Sequence, residues 1–308
     1  MALANILRLP VSVGDSSLAV AIRDALLAGA VNDGVRFIAD LSFGYCYPGG
    51  AFDGRPSPAA PANNAVIYDV ADRANGAAKV ISGNTVNYNG GGFDFGSITK
   101  KDNYLEIPAS VAADIYTAYG GSSQQFLVCA YIKLPTSANW NTSSSVLPML
   151  QFAGTGTATY QTTSDLVAIA QGENGTLQGR RQTGAGAAST ASIKLDSGDY
   201  GLVTQIAYWR NASGVGIRIK NSNGTKITTA AVGSNNTQDF SGKTGLAGVS
   251  GGFWAVDGNN VLIGAGQTGA KNFRLYRLFV ENLARSGRSP LAVLDADYAR
   301  VAARSVFS

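Results

Sequence analysis

The residues that could do chemistry are few and widely spaced. Gly264-Ala265-Gly266-Gln267-Thr268-Gly269 matches G-x-G-x-x-G and follows an apolar run, Val261-Leu262-Ile263. A dinucleotide site needs the last glycine to open a helix whose N-terminus receives the pyrophosphate. Here a strand-like run, Asn272 to Val280, follows instead, and no acidic residue stands about 20 positions on to read a ribose. The segment therefore reads as a glycine-rich loop between strands. Ser97-Ile98-Thr99-Lys100 matches S-x-x-K, and Lys243-Thr244-Gly245 matches K-T-G. Serine acyl-transfer chemistry of that kind needs the Ser to open a buried helix with Lys one turn on. The tetrad lies between two β-like segments, so this reading is set aside.

The chain contains no histidine, which removes Ser-His-Asp and Cys-His catalysis and histidine-ligated zinc together. Its only glutamates are Glu106, Glu173 and Glu281. They form no paired-carboxylate cluster of the kind a glycosidase places on one strand face. A non-enzymatic protein is the expectation, with a carbohydrate-active enzyme using Asp as the alternative.

Two sets of residues could bind rather than react. Asp69, Asp72 and Asn75 share one loop with Gly76 behind them, and oxygen ligands at that spacing can hold Ca²⁺. The competing and preferred reading is a turn in which Asp and Asn bond their own backbone. No other cofactor is expected. Trp140 and Trp254 lie near loops and, with Tyr119, are the candidate glycan-stacking platforms, whereas Trp209 ends an apolar strand and is expected in the core.

The elements that must position these residues are mostly strands. Of 308 residues, 45% are hydrophobic and only 14% charged, and the 38 glycines fall as punctuation without a G-X-Y period. That pattern predicts many turns between short strands. Strands are expected at 36–43, 65–70, 92–97, 103–107, 125–133, 146–152, 165–171, 176–181, 202–210, 215–219, 225–229 and 273–281, and Asn223-Gly224 is a hairpin signal. Thr183 to Thr190 reads as a Gly/Ala/Ser turn region. In the closing strand, Phe273, Leu275 and Phe279 should face one side and Tyr276, Leu278 and Val280 the other.

Three domains follow: an N-terminal arm and helix over 1–35 that anchors or docks, a sandwich over 36–288, and a C-terminal amphipathic helix over 289–308 packed on it. Ser289-Pro290 suits the cap and first residue of that helix. Leu291, Leu294, Tyr298 and Val301 should form its apolar face. The net charge of +4 is spread without a Lys/Arg block, so no nucleic-acid partner is expected. Cys46 and Cys129 allow one disulfide at most. No signal peptide or membrane span is seen at the level of the sequence, which excludes membrane insertion and fits assembly in the cytoplasm.

Three segments carry a resemblance. They are YLEIP followed by QFLVCAYIK, then LVTQIAYWRNASGVGIRIKNSNGT, then NNVLIGAGQTGAKNFRLYRLFVENL. In that order, over roughly residues 36–285, the chain resembles the concanavalin A-like or laminin-G-like jelly roll. One departure is Leu275, where the family often has glycine two residues after the Phe of the closing strand. The segment Glu281 to Ala303 resembles the ends of such domains in tailed-bacteriophage structural proteins. The resemblance implies an all-β, two-sheet antiparallel sandwich. It further implies a virion protein on the tail or baseplate that adheres to glycans or neighbouring virion proteins in a homo-oligomer or multi-copy assembly. A capsid decoration protein is the alternative.

Overall fold

The computed structural model describes residues 24, 26, 34–44, 46–47, 60–71, 77–82, 86–95, 103–116, 124–142, 146–153, 167–184, 187–235, 244–248, 273–305 and 307–308. In chain order the strands are β1 (Val35–Asp40), β2 (Ala65–Tyr68), β3 (Ala77–Ser82), β4 (Asn87–Asn89), β5 (Gly92–Asp94) and β6 (Asn103–Ile107). Helix α1 (Ala109–Tyr116) precedes β7 (Phe126–Lys133), β8 (Leu147–Ala153), β9 (Val167–Gly172), β10 (Thr176–Gly184) and β11 (Ala187–Lys194). Then come β12 (Val203–Asn211), β13 (Gly214–Asn221), β14 (Gly224–Ala230), β15 (Thr244–Ala247), β16 (Arg274–Asn282), α2 (Leu283–Ser286) and α3 (Pro290–Arg304).

The strands form two antiparallel eight-stranded sheets. Sheet A runs β14-β13-β12-β7-β16-β5-β4, with β1 also paired to β16, and sheet B runs β11-β10-β9-β8-β15-β6-β3-β2. The protein is therefore the all-β sandwich that the sequence predicts. Between the sheets, Phe37, Phe93, Phe95, Ile107, Phe126, Val128, Phe152, Ile169 and Ile217 belong to one continuous buried core. Helix α1 contributes Val111, Ala112 and Ile115 to that core.

The central strands of sheet A, β7, β12 and β16, are buried on both faces. Phe126, Val128, Ala130 and Ile132 of β7 point into the sandwich, while Leu127, Cys129 and Tyr131 point outward into a second cluster with Val293, Leu294 and Val301 of α3. This explains why β7 reads as an unbroken apolar run, since alternation appears only where one face meets water. The same logic holds for β12, where Ile206 and Tyr208 face inward and Ala207 and Trp209 outward. Trp209 is core, as expected. Gly216 lies directly across from it, and a Cβ there would sit 2.2 Å from the indole. The glycine is thus needed for the ring to lie flat against β13.

A buried ionic hub fastens α3 to sheet A. Arg277 of β16 donates to Asp24 at 2.8 Å, Asp40 of β1 at 3.0 Å and Asp297 of α3 at 3.0 Å. Arg300 joins Asp297 at 2.8 Å and Arg304 joins Asp40 at 2.7 Å. Tyr131 donates to the second oxygen of Asp297, and Gln205 donates to both the Tyr131 hydroxyl and the Leu294 carbonyl. Burial would lower the Arg277 pKa, but Asp297, Asp24 and Asp40 outweigh it and hold the guanidinium firmly charged. A second pairing supports the same face: Arg288 grips buried Glu281 through two bonds and donates to the Leu26 carbonyl.

Several expectations need correction. The closing strand is buried on both faces, but its alternation is reset by a bulge between Leu275 and Arg277. Phe273, Leu275, Leu278 and Val280 therefore face the sandwich core, and Tyr276 and Phe279 face α3. The apolar face of α3 is rotated, with Leu291 37% exposed and Pro290, Val293, Leu294, Asp297 and Val301 buried. The ionic partner Asp297 sets that rotation. The 183–190 region is no extended turn, because β10 continues to Gly184 and β11 starts at Ala187 with Ala191 and Ile193 pointing inward. The cysteines need no correction, since one disulfide is the most they allow and Cys46 and Cys129 are both buried and free. Of the expected N-terminal arm, only Asp24, Leu26, Gly34 and Val35 lie within the described residues.

Arg277→Ala should destabilise the protein by about 3–5 kcal/mol, because it strands buried carboxylates. Lys220→Ala, which removes a bond to the largely exposed Asp295, should cost no more than about 1 kcal/mol. Denaturant unfolding of the two variants checks the contrast.

Candidate functional site

Sheet B differs from sheet A in what its outer face carries. Leu105 and Ile107, Leu150 and Phe152, Val167 and Ile169, and Leu177 all point into the core. The alternating residues between them must point the other way. Strand register then lines up one row across the sheet. Val66 is opposite Lys79, Lys79 opposite Glu106, and Glu106 opposite Leu246. Leu246 is opposite Gln151, Gln151 opposite Ala168, Ala168 opposite Arg180, and Arg180 opposite Thr190. The next row brings Pro148, Ala170, Gln178 and Ser192 abreast.

The row holds a carboxylate, a primary amide and a guanidinium, separated by Leu246 and the short Ala168. Glu106, Gln178 and Arg180 are half-buried, and Gln151 is buried at the base. Tyr104 packs on Leu246 beside Glu106. Burial raises the Tyr104 hydroxyl pKa, and the Glu106 carboxylate raises it further, so the phenol stays a donor. Burial lowers the Arg180 pKa, and Tyr208 beneath it opposes that shift. Tyr208 reaches under β10 because Gly179 has no side chain; a Cβ there would lie 2.1 Å from the ring. The Oε1 of Gln178 is buried and has no hydrogen-bond partner among the described residues. A ligand rich in hydroxyl groups could satisfy such a set, because each hydroxyl both donates and accepts.

Of the residues expected from sequence to bind, the described ones, Trp140 and Asp69, are placed elsewhere. Trp140 is no exposed platform, being 5% exposed with its Nε1 donating to the Gly172 carbonyl at 2.9 Å and its ring edge-on to Tyr200 at 5.7 Å. The indole is anchored because it caps the end of the core where β7 leaves sheet A. Asp69 is 1% exposed, and its Oδ1 accepts from the backbone N–H of Ile38 at 2.9 Å and of Ala71 at 2.8 Å. That is a turn clamp joining the end of β2 to β1. Tyr119, Trp254, Asp72, Asn75 and the glycine-rich loop 264–269 lie outside the described residues, as do Ser97 to Lys100. Among the described residues, no group of three or more Asp, Glu or Cys side chains is arranged to hold a metal ion. Gly245 of the K-T-G match sits inside β15, facing the ring of Phe152.

Beside Trp140 lies a polar cluster that braces the β11–β12 turn. Asp199 is buried and accepts from Asn221, Asn223, Lys226 and the Asp196 backbone N–H. Burial would raise its pKa, but these four donors overcome that and bring it down to about 2. Sequence reasoning missed the sheet B row because no motif marks it. Its members are scattered along the chain, and only the register of five strands, β6, β15, β8, β9 and β10, brings them together.

No family model matches the chain, and no curated protein matches it by sequence. Solved structures do match. The chain superposes on the binding domain of botulinum neurotoxin DC in complex with rat synaptotagmin II with a TM-score of 0.52 and 10% identity, covering 88% of this chain and 52% of that one. A structure of botulinum neurotoxin type C, whose cell entry is dependent upon interaction with two ganglioside molecules, gives 0.50 and 11% identity, covering 83% and 49%. The serotype C1 binding domain gives 0.50 and 10%, covering 87% and 53%. The chain spans about half the length of these structures. At such identities the likeness is one of fold.

Two outcomes are expected here. Trp140→Ala should lower stability by about 3–5 kcal/mol, as removal of a packed aromatic does, and calorimetric or denaturant unfolding measures it. Asp199 has a folded pKa of about 2, below its unfolded value of ~3.9. Its contribution is complete above that unfolded value and is lost as pH falls toward 2. Asp199→Asn should therefore lose stability at pH 6 and show a shallower further loss between about pH 4 and 2 than the parent protein.

Proposed function

We propose that the protein is a non-enzymatic adhesion protein that binds glycans on the outer face of sheet B. The observation that carries this reading is the cross-strand row of Glu106, Gln151 and Arg180, with Gln178 beside it. These groups sit on paired strands and are held at fixed spacing without a mobile side-chain scaffold, which suits recognition of a rigid polyhydroxylated ring. Tyr104 and Leu246 are themselves buried and pack beside the polar groups.

The fold neighbours support the reading in kind. One neurotoxin binding domain was solved with a protein receptor, and the type C toxin depends on gangliosides for cell entry. We further propose that the chain is a structural protein displayed on a tailed-bacteriophage particle, on the tail or baseplate, where glycans or neighbouring virion proteins are its partners. The resemblance of Glu281 to Ala303 to the ends of phage structural domains supports that setting. The absence of histidine fits a role without imidazole chemistry.

A glycan array probed with the full chain and with a Gln178→Ala/Arg180→Ala variant tests the binding proposal. The parent should retain a subset of glycans without consuming them. The double variant should bind about tenfold or more weakly, as loss of hydrogen bonds that include a charged donor predicts. Retention of full binding to uncharged glycans by a folded double variant, turnover of a bound glycan, or no binding to any glycan would overturn it.

A further inference from the structure

Helix α3 packs on the outer face of sheet A through Val293, Leu294 and Val301, and one end of that face carries a cleft of about 180 Å³. Three charged residues stand abreast in its floor. Arg274 of β16 is directly opposite Lys133 of β7 on one side and Asp94 of β5 on the other. Thr136, Asn139 and the backbone of Pro135 and Gly201 form the wall. This wall is fixed in place. Leu134 N–H donates to the Leu202 carbonyl at 3.0 Å, Gly201 N–H to Pro135 at 3.1 Å, and Asn139 Nδ2 to Thr136 Oγ1 at 3.1 Å.

The charges are unbalanced. Like charges directly across two strands destabilise a sheet, and Lys133 and Arg274 occupy such a pair. Asp94 stands 3.9 Å from Arg274, at the outer limit of an ion pair. Arg274 also donates to the Ser308 carbonyl and, at 3.4 Å, to the Tyr276 hydroxyl. Lys133 has no acidic partner among the described residues. Lys133, beside Arg274 in the register, is the cation toward which a further negative charge would be drawn. Thr136 and Asn139 offer hydroxyl and amide groups a few residues away, which a simple inorganic anion would not use.

We propose that this cleft is a subsite for one carboxylated sugar unit, with its carboxylate at Lys133 and Arg274 and its hydroxyls toward Asp94, Thr136 and Asn139. The site lies on the opposite sheet from the Glu106–Arg180 row and does not depend on it.

Titration of the full chain with glucuronate, followed by NMR chemical shifts, tests this. Glucose, acetate and glucose 6-phosphate serve as comparison ligands. Glucuronate should bind at least tenfold more tightly than glucose or acetate and should weaken as salt is raised. Lys133→Gln should weaken glucuronate about tenfold with an unchanged melting temperature, while Arg180→Ala should leave this binding unaltered. Equal binding of glucose and glucuronate, equal binding of acetate, tighter binding of glucose 6-phosphate, or an unaffected Lys133→Gln variant would overturn the proposal. Loss of glucuronate binding in Arg180→Ala but not in Lys133→Gln would assign the acidic sugar to sheet B instead.

Discussion

The architecture depends on one buried guanidinium. Arg277 sits 1% exposed on the outer face of sheet A and meets carboxylates from three separate parts of the chain, Asp24, Asp40 and Asp297. Burying such a group is costly unless its charge and donors are met. The requirement therefore fixes where β1, β16, α3 and the Asp24 segment lie relative to each other. A purely apolar contact between α3 and sheet A could slide or rotate, whereas this hub admits one register.

That constraint makes the sandwich asymmetric. With α3 held on sheet A by Asp297, and with Val293, Leu294 and Val301 packed against Tyr131 and Phe279, the long central strands β7, β12 and β16 lose contact with water on both sides. The outward row of sheet B is half-buried to buried, with Glu106 and Arg180 half-buried and Gln151, Ala168 and Ala170 buried. The register of its strands sets these groups abreast. The paired charges at Lys133, Arg274 and Asp94 lie where α3 no longer reaches.

Much of the fold was legible in the sequence because strands buried on both faces are long apolar runs. QFLVCAYIK and LVTQIAYWR announced β7 and β12, and Asn223-Gly224 announced the hairpin between β13 and β14. What failed was anything that depends on tertiary compensation. The bulge at Tyr276 exchanges the faces of Phe279 and Leu278, and no local signal marks it. Strand β11 was hidden because its Ala, Ser and Thr residues resemble loop composition until Ala191 and Ile193 are seen facing the core. Asp297 is not among the residues expected on the packed face of α3 and is buried at the hub. The candidate site was the least legible part. Trp140 drew attention as a lone aromatic near a loop, yet its indole is a core cap. Glu106, Gln151, Gln178 and Arg180 carry no motif and become a set only through five strands' pairing.

The order of the hub along the chain has a consequence for biogenesis. Asp40 and Arg277 are 237 residues apart, and α3 is made after every strand it covers. During synthesis at roughly 5–20 residues per second, β7 and β12 are complete well before β16 or α3 leaves the ribosome. For that interval the outward Leu127, Cys129, Ala207 and Trp209 lack the part of their cluster that β16 and α3 supply. Pairings this distant also close slowly, since the loop entropy must be met before the contact forms. The nascent protein therefore passes through a stage with an apolar sheet face exposed, and its yield is governed by how that face is shielded until Asp297 arrives.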